Sequence, residues 1–343
     1  MNILHRLAAL FLLTSSMVGA QPASRVEFRW PTPNRAWEMG KPIEDYIQPT
    51  ISGDPESGTF GCIRSAGGQF HEGIDIKAIS HDRSGEPADL VSAAMSGVVR
   101  YVNPRPGASN YGRYIVIEHP DLLPAVYTLY AHLASIGTGI RPGLPVKAGD
   151  VIALMGRSEG STAVPKERAH LHFEIGLRLS DSFDGWYRRR GFGSPNEHGV
   201  WNGMNLMGVD PLDFLRQWRS RRVGDFQQFF DQRHPVVRLR IASSRVPDFI
   251  TRYPSLLRRP VASGLSLIAG WELECDSTGL PFAWTPLTAA ELGSLRGGAV
   301  KIVAVDMPAI RAWHCKSLVR EHHGSYEPGS DLETVLQILF GVR

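Results

Sequence analysis

His170-Leu171-His172-Phe173-Glu174-Ile175 is the stretch on which the fold turns. Polar and apolar side chains alternate strictly, the period of a β-strand, in which residues two apart share a face. His170, His172 and Glu174 therefore look one way, and Leu171, Phe173 and Ile175 look the other, into a core. Two imidazoles on one strand face serve no packing purpose, whereas a zinc site wants imidazole nitrogens held in place. Alone, a His-x-His pair is more often structural, so the rest of the chain has to decide.

Upstream, residues 97–102, 114–119, 127–132 and 151–156 also read as strands, with Arg141-Pro142-Gly143 and Ala148-Gly149-Asp150 as turn signals. This predicts an antiparallel, mainly β domain with little helix. Two more histidine segments lie within or beside it. His71-Glu72-Gly73-Ile74-Asp75 sets an imidazole and a carboxylate four residues apart. Gly73 and the β-branched Ile74 and Ile76 argue against a helix there, so a loop or bulged strand turning at Gly73 brings both groups to one point. Two imidazoles and one carboxylate leave zinc an open fourth position, as in catalytic sites. Taken alone, the segment reads equally well as a capping aspartate beside a surface histidine. Tyr130-Ala131-His132-Leu133 places a further histidine at a strand end.

In this order the three segments resemble the lysostaphin-type, LytM-domain zinc metallopeptidases, which cut peptide bonds in bacterial peptidoglycan. Ser96-Gly97-Val98-Val99, Asn110-Tyr111-Gly112, Gly149-Asp150 and Asp210-Pro211 fit the same pattern, over about residues 60–215. The resemblance implies a duplicated-hybrid-motif-like antiparallel β fold and one Zn2+ per chain. It implies His71, Asp75 and His172 as zinc ligands and His132 and His170 as unliganded catalytic histidines, with His170 favoured as the base and His132 as the oxyanion stabiliser. Glu174 is a candidate to orient a ligand imidazole, and Asn110 and Tyr111 are candidates to line the groove. No His-Glu-x-x-His helix motif is present. The chain departs from the family where Ala169 replaces a proline, and in inserted segments at about 80–89, 157–168 and 179–209. Those insertions reshape the cleft walls, so substrate preference does not carry over.

The expected organisation is a signal peptide over 1–20, an extended lead-in over 21–60, the peptidase domain over 61–215 and a small α+β C-terminal domain over 223–343. A single charge at Arg6, a short apolar stretch from Leu7 to Leu13 and the small residues ending at Ala20 carry the first expectation. The protein is then exported, to the periplasm, cell envelope or outside, with no membrane span once the signal is removed. In an oxidising compartment Cys275 and Cys315 are the candidate disulfide, with Cys62 left over; three buried thiols are the alternative. Val300–Val305 reads as a buried strand, and residues 332–339 as a helix. The segment 179–209 is too long for a structureless loop and reads as a packed or functional insertion.

The chain has 343 residues, is 43% hydrophobic and carries a net charge of +3, which is too mild to make nucleic acid the default partner. Peptidoglycan is the expected partner. The competing readings are a non-catalytic LytM-type wall-binding protein or hydrolase activator, and an exported sugar-binding module using Trp186 and Trp201. Retention of all five metal and catalytic positions favours the enzyme.

Overall fold

The computed structural model describes residues 25–260 and 268–341; the expected signal peptide lies outside the described residues. The strand His170–Arg178 is the axis of the molecule. Its first half pairs with Ile74–Lys77 along one edge, and its second half continues that edge with Leu206–Val209. The other edge pairs with Tyr127–Ala131, and Tyr114–Glu118, Gly97–Asn103 and Pro145–Val146 follow in order. Every pairing is antiparallel, as the turn-rich sequence predicts. A smaller sheet of Leu90–Ser92, Val151–Leu154 and Ser135–Ile136 stands beside it.

The alternation resolves into two faces. Leu171, Phe173, Ile175, Ile115, Ile117 and Tyr130 join the main apolar core. Tyr114, Val116, Tyr127, Leu129 and Ala131 form a second layer on the opposite face, closed over by Trp201 and Leu206. The segment 179–209 therefore covers what would otherwise be a bare sheet face. It is also more regular than expected, with a helix over Phe183–Arg190. That helix has no apolar periodicity to announce it, since only Phe183 and Trp186 are buried.

The lead-in is not simply extended chain. Val26, Phe28, Trp30 and Trp37 are buried in the main core, and Trp30 stacks on Trp37 at 5.3 Å between centroids. After Asp210 caps the helix Pro211–Arg219, a four-stranded antiparallel sheet forms from Pro281–Leu287, Gly270–Cys275, Val237–Ile241 and Val300–Val305. The last of these is an edge strand that alternates between half-buried and exposed residues, not a buried strand. A helix over Ser330–Phe340 packs its apolar face on the same continuous core.

The cysteines pair differently from the expectation. Cys62 is bonded to Cys315, while Cys275 is a free thiol buried in the core, its pKa pushed well up by burial. Cys275 ends the strand Gly270–Cys275 on its buried face. Cys62 lies in the hairpin Gly61–Arg64/Gln69–His71, against which the C-terminal segment packs: the Trp313 ring sits 6.0 Å from both Phe60 and Phe70.

Candidate metal centre

Register builds the site. Asp75 and His172 are direct partners across adjacent strands, and His172 is also opposite Ala131 on its other side. His71 ends the hairpin strand that leads into Gly73. A Cβ on Gly73 would stand 2.3 Å from the Phe173 carbonyl oxygen, so only glycine allows the chain to cross so close. That close crossing sets the spacing in His71-x-Gly73-x-Asp75. His132 follows its strand in the left-handed region, at φ +59°, a strained state for a non-glycine residue that concentrates at functional sites.

His71 Nε2, His172 Nδ1 and an Asp75 oxygen converge. The two nitrogens are 3.0 Å apart, and each lies 3.2 Å from Asp75 Oδ1. The outer atoms fix the tautomers. His71 Nδ1 donates to the Thr59 carbonyl at 2.6 Å, and His172 Nε2 donates to Glu174 Oε1 at 2.9 Å. In the neutral rings the inner nitrogens are therefore lone pairs. Three acceptors this close repel one another unless a cation or a proton lies among them. The set fits zinc: two imidazoles, one carboxylate and a hydrogen-bond partner behind each ring.

Glu174 is itself held. Its two oxygens accept from Tyr111 at 2.6 Å and from Tyr127 at 2.8 Å. Burial, reinforced by the Glu174 charge, drives both phenol pKa values far up, so both tyrosines remain donors. Asp75 shows the opposite balance: burial pushes its pKa up, yet His170, His71 and His172 outweigh this and hold it well below the usual carboxylate range.

His170 and His132 stand beside this triad. His170 Nδ1 donates to the Arg168 carbonyl at 2.7 Å, and its Nε2 lies 3.3 Å from Asp75 Oδ1. His132 Nδ1 donates to the Ser158 carbonyl at 2.8 Å, and its ring is 4.9 Å from that of His170. Burial, followed by the two neighbouring imidazoles, lowers its pKa to about 3. Two of the inserted segments brace one another here. Glu86 accepts from Arg157 Nε at 2.7 Å and from Nη2 at 2.9 Å, and pairs with Lys166 at 3.2 Å.

All eight sequence-predicted residues are thus brought to one place. Asn110 and Tyr111 line a groove of about 920 Å³ above the triad, together with His132 and His172. Residues 194–204 of the insertion form its far wall. Trp186 and Trp201 are buried and do not line it, which removes the basis for a sugar-stacking surface. No residue of 25–60 lines the groove either. Two participants were missed from sequence. Tyr127 opens a segment that the sequence marks only as a strand. Arg64 reaches into the triad from the hairpin, with Nη2 2.8 Å from His71 Nε2 and an ion pair to Asp75.

Residues 69–183 match the model of peptidase family M23, the region that holds all eight residues. No match is found among curated protein sequences. Solved structures similar to the chain include the catalytic domain of the prophage-encoded M23 protein EnpA from Enterococcus faecalis, at 22% identity over 38% of this chain and 79% of that one, with a TM-score of 0.27. A zinc-containing peptidase from Vibrio cholerae is 27% identical over 44% of this chain, but the match spans only 37% of its own length, with a TM-score of 0.29. The catalytic domain of lysostaphin from Staphylococcus simulans is 21% identical over 51% of this chain and 95% of that one, with a TM-score of 0.28.

Proposed function

We propose that this protein is an exported zinc metalloendopeptidase that hydrolyses peptide bonds in peptidoglycan stem peptides or cross-links. The observation that carries the reading is the convergence of His71, Asp75 and His172 beneath an open groove that His172 and His132 line, with His170 beside them. When bound to that set, zinc supplies a Lewis acid that activates water and polarises a peptide carbonyl. The chain's own residues supply the rest.

His170 is the base. Its Nδ1 proton is committed to the Arg168 carbonyl, which leaves the Nε2 lone pair free to take the proton of the attacking water. Burial lowers its pKa, and the Asp75 charge partly restores it, a restoring influence that ranks much lower at His132. His132, its Nδ1 proton held by the Ser158 carbonyl, is the second unliganded imidazole beside the triad and the group placed to meet the developing oxyanion. Glu174, clamped by two tyrosines, holds the His172 ring in the tautomer that turns Nδ1 inward.

One observation favours the alternative, a wall-binding protein or hydrolase activator without catalysis: a guanidinium already occupies part of the triad's field. Metal content and peptidoglycan turnover, measured on one preparation beside His172→Ala and His170→Ala, separate the two. The enzyme reading expects about one zinc per chain, lost in His172→Ala and kept in His170→Ala, with new peptide ends released by the parent alone. A parent that binds no zinc leaves the binding protein as the better account. Among the described residues no helix is long and apolar enough to cross a membrane.

A further inference from the structure

The groove does not end at the peptidase sheet. Phe70, Glu72, Gly203 and Met204 line it, and the same four residues line a second cavity of about 230 Å³. The two spaces therefore adjoin, with the residues on either side of His71 and the pair Gly203 and Met204 as their common wall. Beyond that junction the walls change owner, because Lys316, Asp331 and the apolar side of the helix Ser330–Phe340 close the far end. The C-terminal unit is pinned there by the Cys62–Cys315 bond and by Trp313 against Phe60 and Phe70.

Lys316 is the cation at this end. Its Nζ lies 4.1 Å from the centroid of the Phe70 ring, and its nearest carboxylate oxygen, on Asp331, is 3.9 Å away. The other Asp331 oxygen accepts from the Ser317 N–H at 2.7 Å, which keeps that carboxylate in place. An ammonium with three donors therefore has one long ion pair and one aromatic face, with capacity for another acceptor. Glu72, at the junction, disfavours a second anion closer to the triad. Lys316 contacts the ring of Phe70, the residue before His71, so it stands at the C-terminal end of the wall that the two spaces share.

We propose that the C-terminal unit forms the distal subsite of the substrate groove, in which Lys316 takes a free carboxylate that the bound wall peptide carries away from the scissile bond, past the apolar wall of the second cavity. This rests on the peptidase reading above and extends it to the class of peptide selected.

The test uses the full chain and a pair of cross-linked wall peptides, one with free carboxylates and one with them amidated. Binding is titrated with the metal chelated, so that nothing is consumed, and hydrolysis is followed on the metal-loaded chain by mass spectrometry. The free-carboxylate peptide should bind about tenfold or more tightly than the amide. Lys316→Gln should abolish that preference and Lys316→Arg restore it, with the same pattern in KM and little change in kcat. Equal binding of the two peptides by the parent, or an undiminished preference in Lys316→Gln, overturns the subsite even where hydrolysis proceeds. A Lys316-dependent preference without hydrolysis supports the subsite and overturns the peptidase reading alone. Neither preference nor hydrolysis overturns both.

Discussion

His172 Nε2 and Glu174 Oε1 are 2.9 Å apart on the same strand, and this short bond decides which nitrogen of His172 faces the triad. The carboxylate is buried and accepts from two phenols as well. Partners of this kind orient ligand imidazoles, and removing them costs about 10- to 100-fold in metal affinity. Glu174→Gln should therefore weaken zinc binding by about that factor while the chain stays folded. Chelator competition reads this directly. Tyr127→Phe, which removes one donor from the clamp, should give a smaller loss; unchanged affinity in both variants would detach Glu174 from the site.

Arg64 and zinc compete for the same lone pairs. The guanidinium pairs with Asp75 and approaches His71 Nε2 at 2.8 Å, while its own Nε has no partner. A cation entering the triad has to displace it, so Arg64→Met should tighten zinc binding, by about tenfold if displacement costs about 1.4 kcal/mol. Weaker binding in that variant would mean that Arg64 organises the ligands and does not oppose the metal.

Zinc uptake should also depend on pH, with a definite sign. Burial lowers the His172 pKa, but its bonds to Asp75 and Glu174 outweigh this and bring it up to about 9. At pH 7 the metal-free ring therefore carries the extra proton, on the nitrogen that must supply the lone pair. Binding has to release it, so the logarithm of the affinity should rise by about one per pH unit between roughly pH 6 and 8, and level off above 9. Chelator competition at three pH values, corrected for the chelator's own protons, measures the slope. A flat profile would mean that His172 is already neutral.

Much of this site was legible because its pieces obey local rules. The alternation in His170–Glu174 is a two-residue period, and Gly73 marks the close crossing that joins His71 to Asp75. Arg64 was not legible. It arrives through a hairpin turn at Ser65 and Ala66, both at positive φ, and no local pattern says where an arginine head will reach. The helix Phe183–Arg190 escaped because three of its last four side chains are arginines. Val300–Val305 misled for the opposite reason: its apolar run reads as buried, yet it lies at the sheet edge with Val303 exposed. The partner of Cys315 lies 253 residues away, and proximity in sequence favoured the wrong thiol.

That bond makes the last prediction. A cross-link closing so long a loop restricts the unfolded chain strongly, and losing one of this kind costs about 2–5 kcal/mol. It also holds the hairpin bearing His71 and Arg64 against the C-terminal segment. The Cys62→Ser/Cys315→Ser chain should unfold at lower urea than the parent. Reductant should bring the parent to the same midpoint and leave the double variant unmoved. Cys275→Ala, which removes the free thiol, should keep the parent's sensitivity to reductant, displaced only by the cost of a small buried cavity. A parent whose midpoint ignores reductant would show that Cys62 and Cys315 are not joined.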